Sequence, residues 1–222
     1  MEDKVLLCFI IAEVLFIGTA GLIFGVAVTT TSNIANGPTI DTVASNLLLA
    51  QAPLDAAIAN AVFIFLTFLL AIPIVAFPKN RLWVQVQAYA IVFCCLFTLF
   101  IGLDIWFSTL KIRASLLTVW GQQSSEVQSL LQQKFNCCGY LDAATPPFVK
   151  DVTCPSPLQA AQRNGCVGLF SDFADTFLDK VFVAIFIINI LDFILFLCLA
   201  MLAKTRAERE RFKEIDNKSV GI

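Results

Sequence analysis

Four long apolar runs, at residues 5–28, 56–77, 82–103 and 181–203, constrain this chain more than any motif it carries. Crossing about 30 Å of hydrocarbon takes about 20 helical residues at about 1.5 Å each, and every run exceeds that length. Hydrophobic residues make up 58% of the sequence and charged residues 14%, a balance that a water-soluble core does not absorb. The first run follows Met-Glu-Asp-Lys, a poor basic start for a cleaved signal peptide, and it is too long for one. It is expected to remain as a membrane anchor. The expected fold is an all-α membrane protein, a bundle of four transmembrane helices.

Charge on the short flanks sets the expected orientation. Lys79 and Arg81 stand between the second and third runs, and Lys204, Arg206, Arg209, Arg211 and Lys213 follow the fourth. Such flanks stay in the cytosol. Residues 29–55 hold two aspartates and no Lys or Arg, which suits translocation. The domain plan is therefore a cytosolic N-terminus and first span (1–28), a small extracellular loop (29–55) and the second and third spans with a short cytosolic turn (56–103). A large extracellular loop (104–180), the fourth span (181–203) and a cytosolic tail (204–222) complete it. Both termini are expected in the cytosol of a multi-pass protein of the plasma membrane or an endomembrane.

Cys137, Cys138 and Gly139 stand in a row inside the large loop, and Cys154 and Cys166 follow. Adjacent cysteines bond each other only through a strained ring. Of three connectivities, two remain, and the residues alone do not choose between them. A four-thiolate zinc site is the chemical rival, disfavoured by vicinal ligands and an oxidising lumen.

Four spans, a large second loop with Cys-Cys-Gly, and Gly165-Cys166 near the last span together resemble the tetraspanin family. The resemblance covers nearly the whole chain. It implies a disulfide-stapled, mostly helical large loop, with Cys137 bonded to Cys166 and Cys138 to Cys154. Each bond would contribute about 2–4 kcal/mol by restricting the unfolded loop. The family usually carries a proline shortly before its third loop cysteine, whereas here Asp151-Val152-Thr153 precede Cys154 and Pro155 follows it. The bounded length, short tails and four-cysteine loop also resemble fungal tetraspanins tied to host penetration structures in plant-infecting fungi.

Within the large loop, Ser125 with Gln128 three residues on reads as a capping box, and Val127, Leu130, Leu131 and Phe135 then share one helical face. Val167, Phe170, Phe173, Ala174 and Phe177 repeat at helical spacing and read as core. Between these helices Pro146, Pro147, Pro155 and Pro157 argue for an irregular surface. Phe148, Val149 and Leu158 there are candidate contacts for a protein partner; the alternative is that they fold back onto the domain.

Inside the spans the informative residues are polar. Glu13, Asn189 and Asp192 have no Lys or Arg at similar depth, so the acids are expected as hydrogen-bonding groups, either joining helices or bordering a lipid cavity. Tetraspanin resemblance implies that such a cavity accepts a sterol as bound lipid; no other cofactor is expected. Gly21 and Gly25 form a small-xxx-small motif, and Ala57 and Ala61 offer a second small face for close helix packing. Cys8 and Cys198, near the cytosolic ends of their spans, are palmitoylation candidates. Cys94 and Cys95 lie deeper and read as small hydrophobes.

The chain has no histidine, which removes Ser-His-Asp triads and His-ligated metals, and it has neither a phosphate-binding glycine loop nor a basic nucleic-acid groove. It is not expected to be an enzyme. The resemblance implies an organiser that binds other membrane proteins laterally, with homo-oligomeric association also open. A channel or junction-type four-span protein is the alternative.

Overall fold

The computed structural model of the protein describes residues 2–50, 53–77, 80–110 and 112–220. The first helix, α1 (Glu2–Ala35), contains no proline and stops just before Gly37, which adopts φ +92° ahead of Pro38. Glycine at positive φ followed by proline is a strong helix stop. A short helix, α2 (Val43–Ala50), lies in the small loop. Next come α3 (Leu54–Leu69) and α4 (Ala71–Ala76), which together make one apolar span of 23 residues. The interruption has a cause in Pro73, whose ring clashes with the carbonyl four residues earlier, at Leu69. The chain continues as α5 (Arg81–Leu110), α6 (Ile112–Gln122), α7 (Ser125–Phe135), α8 (Pro157–Ala161) and α9 (Val167–Val220). No strand occurs among the described residues, only an isolated bridge between Ala144 and Pro147.

Among the described residues, four helical stretches are long and apolar enough to cross a membrane: Asp3–Ala35, Leu54–Ala76, Arg81–Phe107 and Val167–Asp216. This is the build of a multi-pass membrane protein. The last predicted span and the loop helix before it prove to be one helix of 54 residues, because no proline and only one glycine, Gly168, stand between Val167 and Val220 to break it. Asp179 and Lys180 interrupt the hydropathy without interrupting the backbone.

The chain divides into two compact units. The bundle unit comprises the described residues of Met1–Gly25, Asp55–Ile101 and Ala184–Ile222. Phe9, Phe16, Ile64, Ile74, Ile91 and Leu199 fill its core. Its outer faces carry Leu22, Leu96 and Phe100 at 70%, 60% and 69% exposure, the inverse of what water tolerates and what a lipid solvent asks for. Ala61 is buried and Ala57 half-buried, as close packing requires, but Gly21 and Gly25 are exposed and a Cβ on either would meet nothing within 4 Å. Within the bundle unit this glycine pair therefore packs against no other helix. Phe9, Phe16 and Ala20 turn one face of α1 inward, and Gly21 and Gly25 fall on the opposite face at 100° per residue.

The loop unit comprises the described residues of Val26–Leu54 and Gly102–Val183. Its core is built around Trp120, Leu131, Tyr140 and Phe170, with Val43 and Leu47 of α2 among them. The small loop is therefore structural, packing α2 against α7. Lys134 of α7 donates to the Asp41 carbonyl and lies 5.3 Å from the Phe173 ring centre, a cation–π distance. The capping expectation shifts by one residue. Ser124 is the N-cap of α7 and its hydroxyl accepts from Val127 N–H, while Gln128 donates to the carbonyls of Trp120 and Gln123.

Phe170 is fully buried and Phe212 is 66% exposed. Phe170→Ala should therefore cost about 3–5 kcal/mol and Phe212→Ala less than about 0.5 kcal/mol. Denaturant unfolding of the purified chain, followed by tryptophan fluorescence, checks the difference.

Candidate functional site

The disulfide knot of the loop unit is the most chemically defined part of the chain. Helix α7 ends at Asn136, which takes a left-handed conformation with φ 53° and ψ 47°, and the Cys137 N–H returns to the Gln132 carbonyl at 3.1 Å. Asparagine tolerates that conformation better than most residues. The turn sends the next two residues onto different partners: Cys137 bonds Cys166 and Cys138 bonds Cys154. All four loop thiols are consumed in pairs, which leaves no thiolate for zinc.

The two glycines of the motifs have steric reasons. Gly139 sits at φ +72°, and a Cβ there would lie 2.0 Å from the Asp142 carbonyl oxygen. At Gly165 a Cβ would come within 2.1 Å of the Leu141 carbonyl oxygen. Bare backbone at these places lets two segments run against each other: Cys138 N–H donates to Asn164 O, Cys166 N–H to Gly139 O and Val167 N–H to Tyr140 O, at 3.2, 3.0 and 2.9 Å. Tyr140 itself is buried beside Trp120, and that burial pushes its phenol pKa up.

Sequence reasoning missed the side chain that organises the irregular stretch. Gln132 is fully buried; its Oε1 accepts from the N–H groups of Gly139 and Val149, and its Nε2 donates to Val149 O at 2.7 Å and Asp151 Oδ2 at 2.8 Å. The other Asp151 oxygen accepts from Thr153 and Cys154 N–H at 2.8 and 2.6 Å. This is an Asx turn, and it fixes the backbone that leads into Cys154. A glutamine among Leu130, Leu131 and Phe135 was the available signal.

Of the three candidate partner contacts, only Leu158 is strongly exposed, at 74%. Phe148 is half-buried against Cys138, Cys154 and Ala160, and Val149 is half-buried with its backbone held by Gln132. Phe148 thus packs back onto the domain. Val152, at 89% exposure, is the apolar side chain that the sequence did not single out.

In the bundle unit, Glu13 is buried and accepts from the Gln87 side chain of α5. Asn189 donates to Ile185 O at 3.0 Å and accepts from Cys95 Sγ at 3.4 Å. Asn60 donates to Thr98 at 2.8 Å, and Thr67 meets Cys94 at 3.4 Å. Apart from the Asn189–Ile185 bond, which lies within α9, these contacts join helices to one another. Asp192 is fully buried, and among the described residues neither of its oxygens has a hydrogen-bond partner. A groove of about 330 Å³ runs between α1 and α9, lined by Leu7, Cys8, Ile11 and Leu15 on one side and Leu191 and Ile194 on the other. Glu13, Asn189 and Asp192 do not line it, so the structure does not assemble them into this cavity. Cys8 is exposed, Cys198 is buried, and their sulfurs lie 3.1 Å apart.

The chain matches no family model, no curated protein and no solved structure.

Replacing Gln132 with Leu would strip partners from three backbone groups, at about 1–3 kcal/mol for each one left buried. Limited proteolysis of the purified chain should then cut within 140–164 about tenfold faster or more, with both disulfides intact. Cleavage at the rate of the unaltered chain would contradict this role.

Proposed function

We propose that the chain is a tetraspanin-like membrane organiser, which binds partner membrane proteins laterally and clusters them in the plasma membrane or an endomembrane. The observation that carries this reading is the cross-braced Cys-Cys-Gly knot between the third and fourth of four membrane-length helices. In this reading both termini are cytosolic and the knot is extracellular. The irregular stretch presents Leu158 and Val152 to a partner, which suits recognition by a rigid, low-entropy surface. The outward Gly21 and Gly25 let a partner's helix approach α1 closely. A sterol or acyl chain in the groove between α1 and α9 would tune the clustering. By resemblance to fungal tetraspanins, infection-structure development is the proposed setting.

Cross-linking in intact membranes, followed by mild extraction and mass spectrometry, is expected to recover the chain joined to other membrane proteins. The double variant Val152→Asp, Leu158→Asp should lower that recovery about fivefold, on the order of 1 kcal/mol, with membrane level and disulfides unchanged. A chain recovered alone, or full recovery by the double variant, would remove the organiser reading.

A further inference from the structure

We propose that Cys8 and Cys198 are a dithiol switch, forming a reversible third disulfide that ties the first membrane helix to the last. The two residues are 190 positions apart in sequence, yet their sulfurs are 3.1 Å apart inside the bundle unit. A disulfide needs about 2.05 Å, so the sulfurs must close by about 1 Å. The other two free thiols are placed differently. Cys94 meets the Thr67 hydroxyl and Cys95 donates to Asn189, so each is engaged by a non-thiol group of another helix.

Exposure divides the labour between the two sulfurs. Cys8 is exposed on α1, one turn beyond Lys4 near the start of the first span, where a membrane-permeant oxidant meets it before Cys198. Cys198 is 2% exposed among Leu195, Leu199 and Leu202. The oxidant required is a hydroperoxide. The Cys8 thiol gives up its proton and its sulfur attacks a peroxide oxygen; the O–O bond breaks, leaving Cys8 sulfenic acid and one water or alcohol. Cys198 sulfur then attacks the Cys8 sulfur, the S–O bond breaks, and the departing hydroxide takes the Cys198 proton as a second water. Two thiols are oxidised and one peroxide is reduced. Exchange with a dithiol reductant reverses the bond. Cys8 also lines the groove between α1 and α9, so the bond would fix that groove's width and close Cys8 to any thioester.

The test uses the full chain in lipid nanodiscs, treated with hydrogen peroxide, denatured, blocked with maleimide and digested without reductant. A linked peptide pair containing Cys8 and Cys198 is expected, with maleimide uptake falling from the four free cysteines to two and recovering after dithiol treatment. Cys198→Ser should leave Cys8 as sulfenic or sulfinic acid, and Cys8→Ser should leave Cys198 labelled. Sulfinic acid at Cys8 of the unaltered chain with Cys198 still free, or bonds only between chains, would overturn the proposal.

Discussion

Two covalent bonds leaving neighbouring residues for different partners set the shape of everything between α7 and α9. Cys137 and Cys138 share one peptide unit, yet one reaches 29 residues along the chain and the other 16. Neither bond closes unless the backbone turns at Asn136 and passes without a side chain at Gly139 and Gly165. The cysteines and glycines are thus a single steric solution. Gln132 and Asp151 then supply hydrogen bonds to a proline-rich stretch that has too little regular structure to satisfy its own backbone.

The bundle unit answers a different solvent. Large apolar side chains face outward at high exposure, and polar side chains face inward and bond across helices, as Glu13 with Gln87 and Asn60 with Thr98 do. In hydrocarbon the apolar effect does not drive helices together, so packing and these interhelical bonds carry the specificity. Toward the end of α9, Arg206 donates to the Ile74 carbonyl at 3.2 Å, and Arg81 pairs with Glu210. The Arg81–Glu210 pair is exposed, so it contributes little stability.

The four spans and the location of the knot were legible in the sequence, because run length and cysteine spacing survive without knowledge of contacts. What the sequence hid depends on direction. Gly21 and Gly25 announced a close approach, but only the inward turn of Phe9 and Phe16 decides which way that face points. Ser124 and Ser125 are the same residue type, and backbone geometry alone selects the cap. Phe148 looked available for a partner until the Cys138–Cys154 bond and Ala160 gave it a pocket. Helix α2 went unread in the small loop, although Val43, Ala44, Leu47 and Leu48 repeat at helical spacing. The buried Gln132 left only the faint mark of one amide among apolar neighbours.

The account rests on the pairing of the four loop cysteines, and peptide mapping reads that pairing directly. Cells expressing the chain would be denatured with excess maleimide and no reductant, and the digest analysed by mass spectrometry. The predicted result is linked peptides joining Cys137 to Cys166 and Cys138 to Cys154, with none of the four carrying maleimide. Maleimide on Cys137 or Cys138, or the exchanged pairing, would contradict the account.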